Sequence, residues 1–265
     1  MINHKFKANR PKIIGDTNIK PYWRVIESVI DKSEVLLEVL DARMPELSRN
    51  EELEEIIKKR KREIIFILNK ADLVEENELR KTYNKLKGKH LTFIISTKEK
   101  MGTKRLREYL IRLSNKNEIT IGVVGYPNTG KSSIINSLLR RKKAPVSKKA
   151  GTTHGEQWLN SSQLKIIDSP GIIPIKNNDE IRLALIGSKN VEKIKSKDIV
   201  SNKIIEIIGK NKILSQYQVN EKSKDPEEII ELIGKKKGFI KKGGNIDEVR
   251  TSTMIIRDWQ QGKIG

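Results

Sequence analysis

The chain has 265 residues, enough for one large domain or two modest ones and for a sizeable buried core. Its 36% hydrophobic and 33% charged residues suit a soluble globular protein, and no apolar run approaches the roughly 18 to 20 residues of a membrane span. The opening "MINHKFKANRPK" has no apolar core behind its charges, so no secretory signal is expected; zero cysteines exclude disulfides and thiolate metal sites, and a cytoplasmic home fits. The formal charge of +20 favours polyanionic partners. Because that charge is clustered and no basic amphipathic helix exposes Trp or Phe, nucleic acid is expected and a membrane is not.

In chain order, "VLLEVLD" from Val35, "EIIFILN" from Glu63 and "LTFIIS" from Leu91 are short apolar runs of strand type. Between them, "RNEELEEIIKKRK" and "ENELRKTYNKLKGK" space their apolar residues three or four apart, with acids toward the N-terminal end, as helices do. "GTKRLREYLIRLS" continues as a helix and "EITIGVVG" as a buried strand ending at Gly125. "KSSIINSLLRR" then reads as a helix and "LKIIDS" as a further strand. Continuous apolar strands separated by helices predict a mostly parallel sheet covered on both faces, an α/β domain over residues 1–177.

Beyond Ile175 the strand signals stop. "DEIRLALIGSKNVEKI", "DIVSNKIIEIIGKNKILSQY", "DPEEIIELIGKKKGF" and "NIDEVRTSTMIIRDWQQ" all carry helical spacing, and Asp225-Pro226 is a good helix start. A small all-helical domain over residues 178–265 is expected.

The chemistry sits at strand ends. "GYPNTGKSS" matches G-x-x-x-x-G-K-S/T between a predicted strand and a predicted helix, so its backbone N–H groups would cradle phosphates at the helix N-terminus. Lys131 would reach the β- and γ-phosphates and the Ser132 hydroxyl would ligate Mg²⁺. "IIDSPG" supplies D-x-x-G, with Asp168 for a metal-bound water and the Gly171 N–H for the γ-phosphate. In the polar loop "KKAGTTHGEQ", Thr152 or Thr153 would complete the metal shell, with Thr153 favoured.

Asn69, Lys70, Ala71 and Asp72 spell N-K-x-D at the C-terminal end of a strand, where ligands bind in open parallel sheets. The Asp72 carboxylate would accept from guanine N1–H and the 2-amino group together, while Lys70 would pack its stem along the base. Ser96, Thr97 and Lys98, after the next strand, would back the base. In the usual order the guanine signature follows the phosphate loop; here it precedes it. "GTKRLREYLIRLS" serves as the customary last helix and "NKNEI" joins it directly to "TIGVVG", so both matches stand and the domain is circularly permuted.

With "DARMPELSRN", "NKADL", "GYPNTGKSSIINSL", "GTT", "DSPGI", "IGKKKGFIKKGGNID" and "IIRDW", the chain resembles the circularly permuted GTPases of the YlqF/YawG group over nearly its whole length. The resemblance implies a P-loop GTPase fold and a GTP-hydrolysing role in ribosome assembly. Asn69, Lys70 and Asp72 would read guanine, and Asn128, Thr129, Gly130, Lys131, Ser132 and Ser133 would hold phosphates. Thr153 would belong to the first switch, Asp168 and Gly171 to the second. It also implies that Ile172 replaces the glutamine that orients water in many GTPases, so intrinsic turnover would be slow. The bacterial members' N-terminal F-P-G-H-M segment is not found here; His4 and His154 lie outside that motif, and no catalytic base is assigned. Asn128 resembles the asparagine of potassium-stimulated members, so either K⁺ joins Mg²⁺ as a cofactor or this side chain serves loop hydrogen bonding alone.

The permutation leads the γ-phosphate-sensing segment straight into the helical part, a layout suited to hinge or order–disorder switching. "RRKKAPVSKK" at 140–149 and "KKKGFIKKGG" at 235–244 flank that switch and suit phosphate contacts to structured RNA. A monomer acting on the large ribosomal subunit through rRNA is the leading expectation. A GTPase with a non-ribosomal RNA or protein client, and an RNA-binding module with structural nucleotide, are the alternatives. A metabolic P-loop kinase leaves Asn69 to Asp72 unexplained.

Overall fold

A computed structural model describes residues 19–115, 117–139, 157–161, 163–171, 179–221, 223 and 225–265. The chain opens with α1 (Ile19–Lys32), β1 (Val35–Asp41), the one-turn α2 (Pro45–Ser48), α3 (Glu51–Lys59) and β2 (Glu63–Asn69). After them come α4 (Glu76–Lys87), β3 (Leu91–Ile94), α5 (Thr103–Leu113), β4 (Ile119–Val124) and α6 (Lys131–Leu139). Two short strands, β5 (Gln157–Ser161) and β6 (Leu164–Asp168), complete a six-stranded sheet in the order β3-β2-β1-β4-β6-β5. All neighbours are parallel except β5, which runs antiparallel to β6 at the edge.

Burial on both faces explains the unbroken apolar runs. Along β1, Val35, Leu37 and Val39 meet Leu106 and Leu110 of α5 and Ile134 and Leu138 of α6. The alternate residue Leu36 packs with Ile26 and Ile30 of α1 and Leu53 and Ile57 of α3, while Leu40 joins Leu79 and Leu86 of α4. α3 is fixed at its start by the Asn50 side chain, which accepts from the Leu53 N–H, and by the Asn50 N–H donating to the buried Glu38 carboxylate at 2.8 Å.

Three elements differ from the sequence expectations. α1 lies ahead of the first expected element, with Ile26, Val29 and Ile30 as its buried stripe. β5 occupies the stretch after the polar loop; as an edge strand it turns only Leu159 toward the core and leaves Trp158 47% exposed, so its pattern is weak. The stretch of helical spacing from Asp198 to Tyr217 is divided into two helices, α8 (Lys197–Ile208) and α9 (Lys210–Gln216), because Gly209 stands between them at φ +91°. That array starts with α7 (Glu180–Leu185) and ends with α10 (Pro226–Lys236) and α11 (Glu248–Gln260). Its apolar cluster, centred on Ile204, Ile205, Ile229, Ile233, Ile255 and Trp259, also takes in Met44 and Tyr126 from the loops at the sheet's C-terminal edge. The helices therefore pack directly over the ends of β1 and β4.

Candidate functional site

Strand order sets the site. β1 continues to β2 on one side and has β4 on the other, so the chain changes direction between β1 and β4, the crevice where open parallel sheets bind ligands. Around it gather Asp41, Asn69, the loop from Gly125 and Asp168, each at a strand's C-terminal end. The expected site residues outside the described residues are Thr152, Thr153 and Ile172, together with His4, His154 and the basic run at 140–149.

The phosphate loop leaves β4 at Gly125 and enters α6 at Lys131. Its backbone takes φ +62° at Asn128 and +104° at Gly130, turning successive N–H groups toward one side. At Gly130 a Cβ would stand 2.1 Å from Asn69 Nδ2, so only glycine fits. The buried Thr129 hydroxyl donates to the Tyr126 carbonyl at 3.0 Å and locks the turn. Lys131, 8% exposed, bends back and donates to the Gly125 and Tyr126 carbonyls at 3.1 and 2.9 Å. Burial draws its pKa down to about 8, against the pull of the Asp168 charge. Ser132 and Ser133 follow, half-buried, in the first turn of α6, whose leading N–H groups have no helical partner.

Asp168 ends β6 opposite Val123. Its two carboxylate oxygens are fully buried and have no hydrogen-bond partner among the described residues. Burial raises this carboxyl to about 6, with Lys131 pulling the other way. The next residue, Ser169, anchors the turn by donating to the Val123 carbonyl at 2.7 Å. Gly171 then passes so close to Pro127 that a Cβ would lie 2.7 to 2.8 Å from it. Two orphaned carboxylate oxygens fit a hard cation. No group of three or more His, Cys, Asp or Glu that could hold a metal occurs among the described residues.

On the other side of β1, Asn69 lies 1% exposed and donates from Nδ2 to the Thr129 carbonyl at 2.9 Å. This bond ties the N-K-x-D turn to the phosphate loop across 60 residues of chain. Lys70 sits in the left-handed region at φ +64°, and its ammonium reaches the Asp41 carboxylate at 2.7 Å. The Asp72 side chain, 11% exposed, accepts from the Ser96 hydroxyl at 2.6 Å and has Lys98 Nζ at 3.7 Å. Ser96 is buried, Thr97 half-buried and Lys98 exposed. Asp72 and Lys98 line an open cleft of about 370 Å³ whose far wall holds Lys212, Gln216 and Gly262.

Asp41 and Arg43 received no site role from sequence reasoning. Arg43 grips Asp41 through Nε at 3.0 Å and Nη2 at 2.8 Å, and both side chains are nearly inaccessible. Burial alone would raise the Asp41 carboxyl, but Lys70 and Arg43 hold it well below the usual carboxylate range. The available signal was an acid at the end of an apolar strand, two residues before an arginine. Asn128, by contrast, donates its amide N–H to the Gly187 carbonyl at 2.5 Å, while the Ser188 hydroxyl donates to the Pro127 carbonyl at 3.2 Å.

A phosphate loop on β4, D-x-x-G on β6 and N-K-x-D on β2, all at one sheet edge with the base signature first in sequence, define a P-loop GTPase fold in permuted order. Residues 23–177 match the RsgA GTPase family model and residues 120–239 match that of the 50S ribosome-binding GTPase. The chain belongs to the circularly permuted GTPases of the YlqF type. It is 38% identical over 250 residues to an uncharacterized GTP-binding protein of Methanocaldococcus jannaschii, covering 92% of this chain and 66% of that protein. It is 32% identical over 267 residues to nucleolar GTP-binding protein 2 of Saccharomyces cerevisiae, covering 97% of this chain and 55% of that one. The chain thus spans between about half and two thirds of the length of these curated relatives. GNP-bound YlqF from T. maritima superposes with a TM-score of 0.62 at 27% identity, over 92% of this chain and 94% of that one. A GDP-bound YlqF structure gives 0.63 at 28%, over 90% and 94%.

Proposed function

We propose that this chain binds GTP, hydrolyses it slowly and uses the cycle as a switch in assembly of the large ribosomal subunit. The observation that carries the nucleotide reading is the Asn69–Thr129 bond, which joins the base-reading turn to the phosphate loop as a single ligand site despite the inverted chain order. Asp72, already oriented by Ser96, offers its carboxylate to the paired donors of guanine. Lys70 lays its stem along the base. Adenine presents neither donor, so the selectivity is electrostatic.

At the other end, Lys131 exchanges the loop carbonyls for phosphate oxygens, and the N-terminus of α6 adds its unpaired N–H groups. Asp168, through a metal-bound water, and the Ser132 hydroxyl would hold Mg²⁺, with Thr153 as the switch ligand, and a bound ion would supply positive charge beside the β- and γ-phosphates. The Gly171 N–H reads the γ-phosphate beside Pro127. A K⁺ ion near the phosphates would be met by the Asn128 side-chain oxygen, since the amide nitrogen is taken by Gly187. Ile172 offers no polar group to orient water, so turnover by the chain alone is well below about 1 s⁻¹ and rises on the ribosomal particle.

The helical part, residues 178–265, is the RNA-contacting unit in this reading. Exposed Lys235, Lys236, Lys237, Lys241 and Lys242 crowd around the turn after α10. The family description as ribosome-binding and the relatives' nucleolar names support a ribosomal client. Sedimentation of the chain with native subunits, with GDP and with a non-hydrolysable GTP analogue, tests this. Nucleotide-dependent co-sedimentation with the large subunit is expected. Equal binding in both states would favour an RNA-binding module with structural nucleotide, and binding to neither subunit would favour another client.

A further inference from the structure

The guanine-reading turn is held at both ends by the end of α11, and phosphate chemistry requires neither contact. At one end, Lys70 rests on Asp41, and Asp41 is clamped by Arg43. Arg43 has a second set of contacts. Its Nη1 donates to the Trp259 carbonyl at 2.7 Å, and its guanidinium lies 3.9 Å from the centroid of the Trp259 ring. Trp259 is 1% exposed and its indole N–H donates to the Leu185 carbonyl at 2.7 Å, so the ring is a fixed part of the helical core. A chain of close contacts therefore runs from the base-contacting lysine to the last turn of α11.

At the other end, Leu73 follows Asp72. The chain leaves α11 through Gly262, whose N–H donates to the Trp259 carbonyl at 3.1 Å and whose backbone stands at φ +66°. A Cβ there would lie 3.0 Å from Leu73 Cδ1, so the backbone of the tail lies against the residue next to the guanine carboxylate. Ile264, 4% exposed and part of the helical core, fixes this tail segment.

We propose that the end of α11 braces the guanine-reading turn and that Arg43 is the positioning residue joining them, acting through Asp41 on Lys70. This rests on Asn69, Lys70 and Asp72 being the guanine site. Coupling between two parts of a protein typically amounts to about 5- to 150-fold in affinity. The effect falls on the base end of the nucleotide. Occupancy by guanine nucleotide thus depends on how α11 is seated, separately from the γ-phosphate signal.

The test is release of a fluorescent GDP from the full chain, paired with competition by inorganic tripolyphosphate, which has no base. Arg43→Ala is expected to release GDP about 5- to 150-fold faster while tripolyphosphate competes as in wild type. Arg43→Lys, which keeps a charge between Asp41 and Trp259, should recover most of the retention. Gly262→Val pushes on Leu73 from the tail and is expected to speed release in the same base-dependent way, which keeps the test open should Arg43→Ala fail to fold. Wild-type release in the folded variants overturns the brace, and so does an equal loss of tripolyphosphate binding, because that marks general damage. A wild type showing no preference for fluorescent GDP over fluorescent ADP overturns the guanine reading and the brace with it.

Discussion

The base end and the phosphate end of the crevice differ in how completely the protein pairs its own groups. At the base end Asn69 donates to Thr129, Lys70 to Asp41 and Ser96 to Asp72, all within hydrogen-bond distance, and the neutral Asn69 Oδ1 is left without a partner among the described residues. At the phosphate end Asp168 has two buried oxygens without a partner among the described residues, and Lys131 is folded onto carbonyls of its own loop. Orphaned buried charge is costly, and the neighbouring ammonium is too weakly coupled to keep either pKa normal. The contrast teaches a division of labour. On the proposed reading, base recognition is built into the fold, while the phosphate site is left for nucleotide and cation to complete.

The largest expected effect attacks the unfinished end. Lys131→Ala removes the charge that turns from loop carbonyls to phosphates and should weaken GDP and GTP binding by roughly 2 to 5 kcal/mol, measured by calorimetry. A loss shared equally by base analogues without phosphate would erase the contrast between the two ends.

Next comes Asp168, where the pH dependence has a definite sign. Its carboxyl titrates near 6 in the folded protein against an ordinary value of 3.8. Between those values the native state holds the proton that the unfolded chain has released. Ligand-free stability therefore falls as pH rises from about 4 to about 6, by at most about 3 kcal/mol. Asp168→Asn should flatten that fall and raise the melting temperature of the ligand-free protein at pH 7, while abolishing the Mg²⁺ dependence of nucleotide binding. If Asp168→Asn instead lowered stability at pH 7, the carboxylate would already have a partner.

The smallest effect on nucleotide sharpens the comparison from outside the crevice. Replacing Lys235, Lys236 and Lys237 with Ala should leave GDP affinity unchanged, since all three are exposed beyond the site. Binding to the subunit should weaken, and its salt dependence should flatten by up to about three counterions' worth. Lys237 also lies 5.6 Å from the Tyr217 ring, so its share of the slope is expected to be the least. An unchanged slope would make this cluster a solvated face and move the RNA contact to 140–149.

How much of this was legible in the sequence follows from where the information sits. The five parallel strands announce themselves, because burial on both faces leaves unbroken runs such as "VLLEVLD" and "EIIFILN". The nucleotide motifs are legible for a similar reason: Gly130 is dictated by the Asn69 side chain pressed against it, and Lys131 by the loop it follows. β5 is hidden because an edge strand buries one side chain in a polar stretch. Asp41 and Arg43 are not legible as site residues, since their partners Lys70 and Trp259 lie 29 and 216 positions away. Spacing rules do not reach such contacts. Asn128 carried a potassium reading, and its bond to Gly187 depends on how the helical array docks, which no local pattern encodes.

The central claim is that Asp72, on a turn that precedes the phosphate loop in sequence, chooses guanine. The direct test is the affinity of the wild type and Asp72→Asn for guanosine and xanthosine diphosphates, measured by equilibrium titration. Xanthine has an oxygen where guanine has its 2-amino group. The substitution should cost GDP roughly 2 to 4 kcal/mol, because a buried donor pair meets the wrong partner, and should make XDP the tighter ligand. Unchanged GDP affinity in Asp72→Asn, with XDP still rejected, would contradict the assignment.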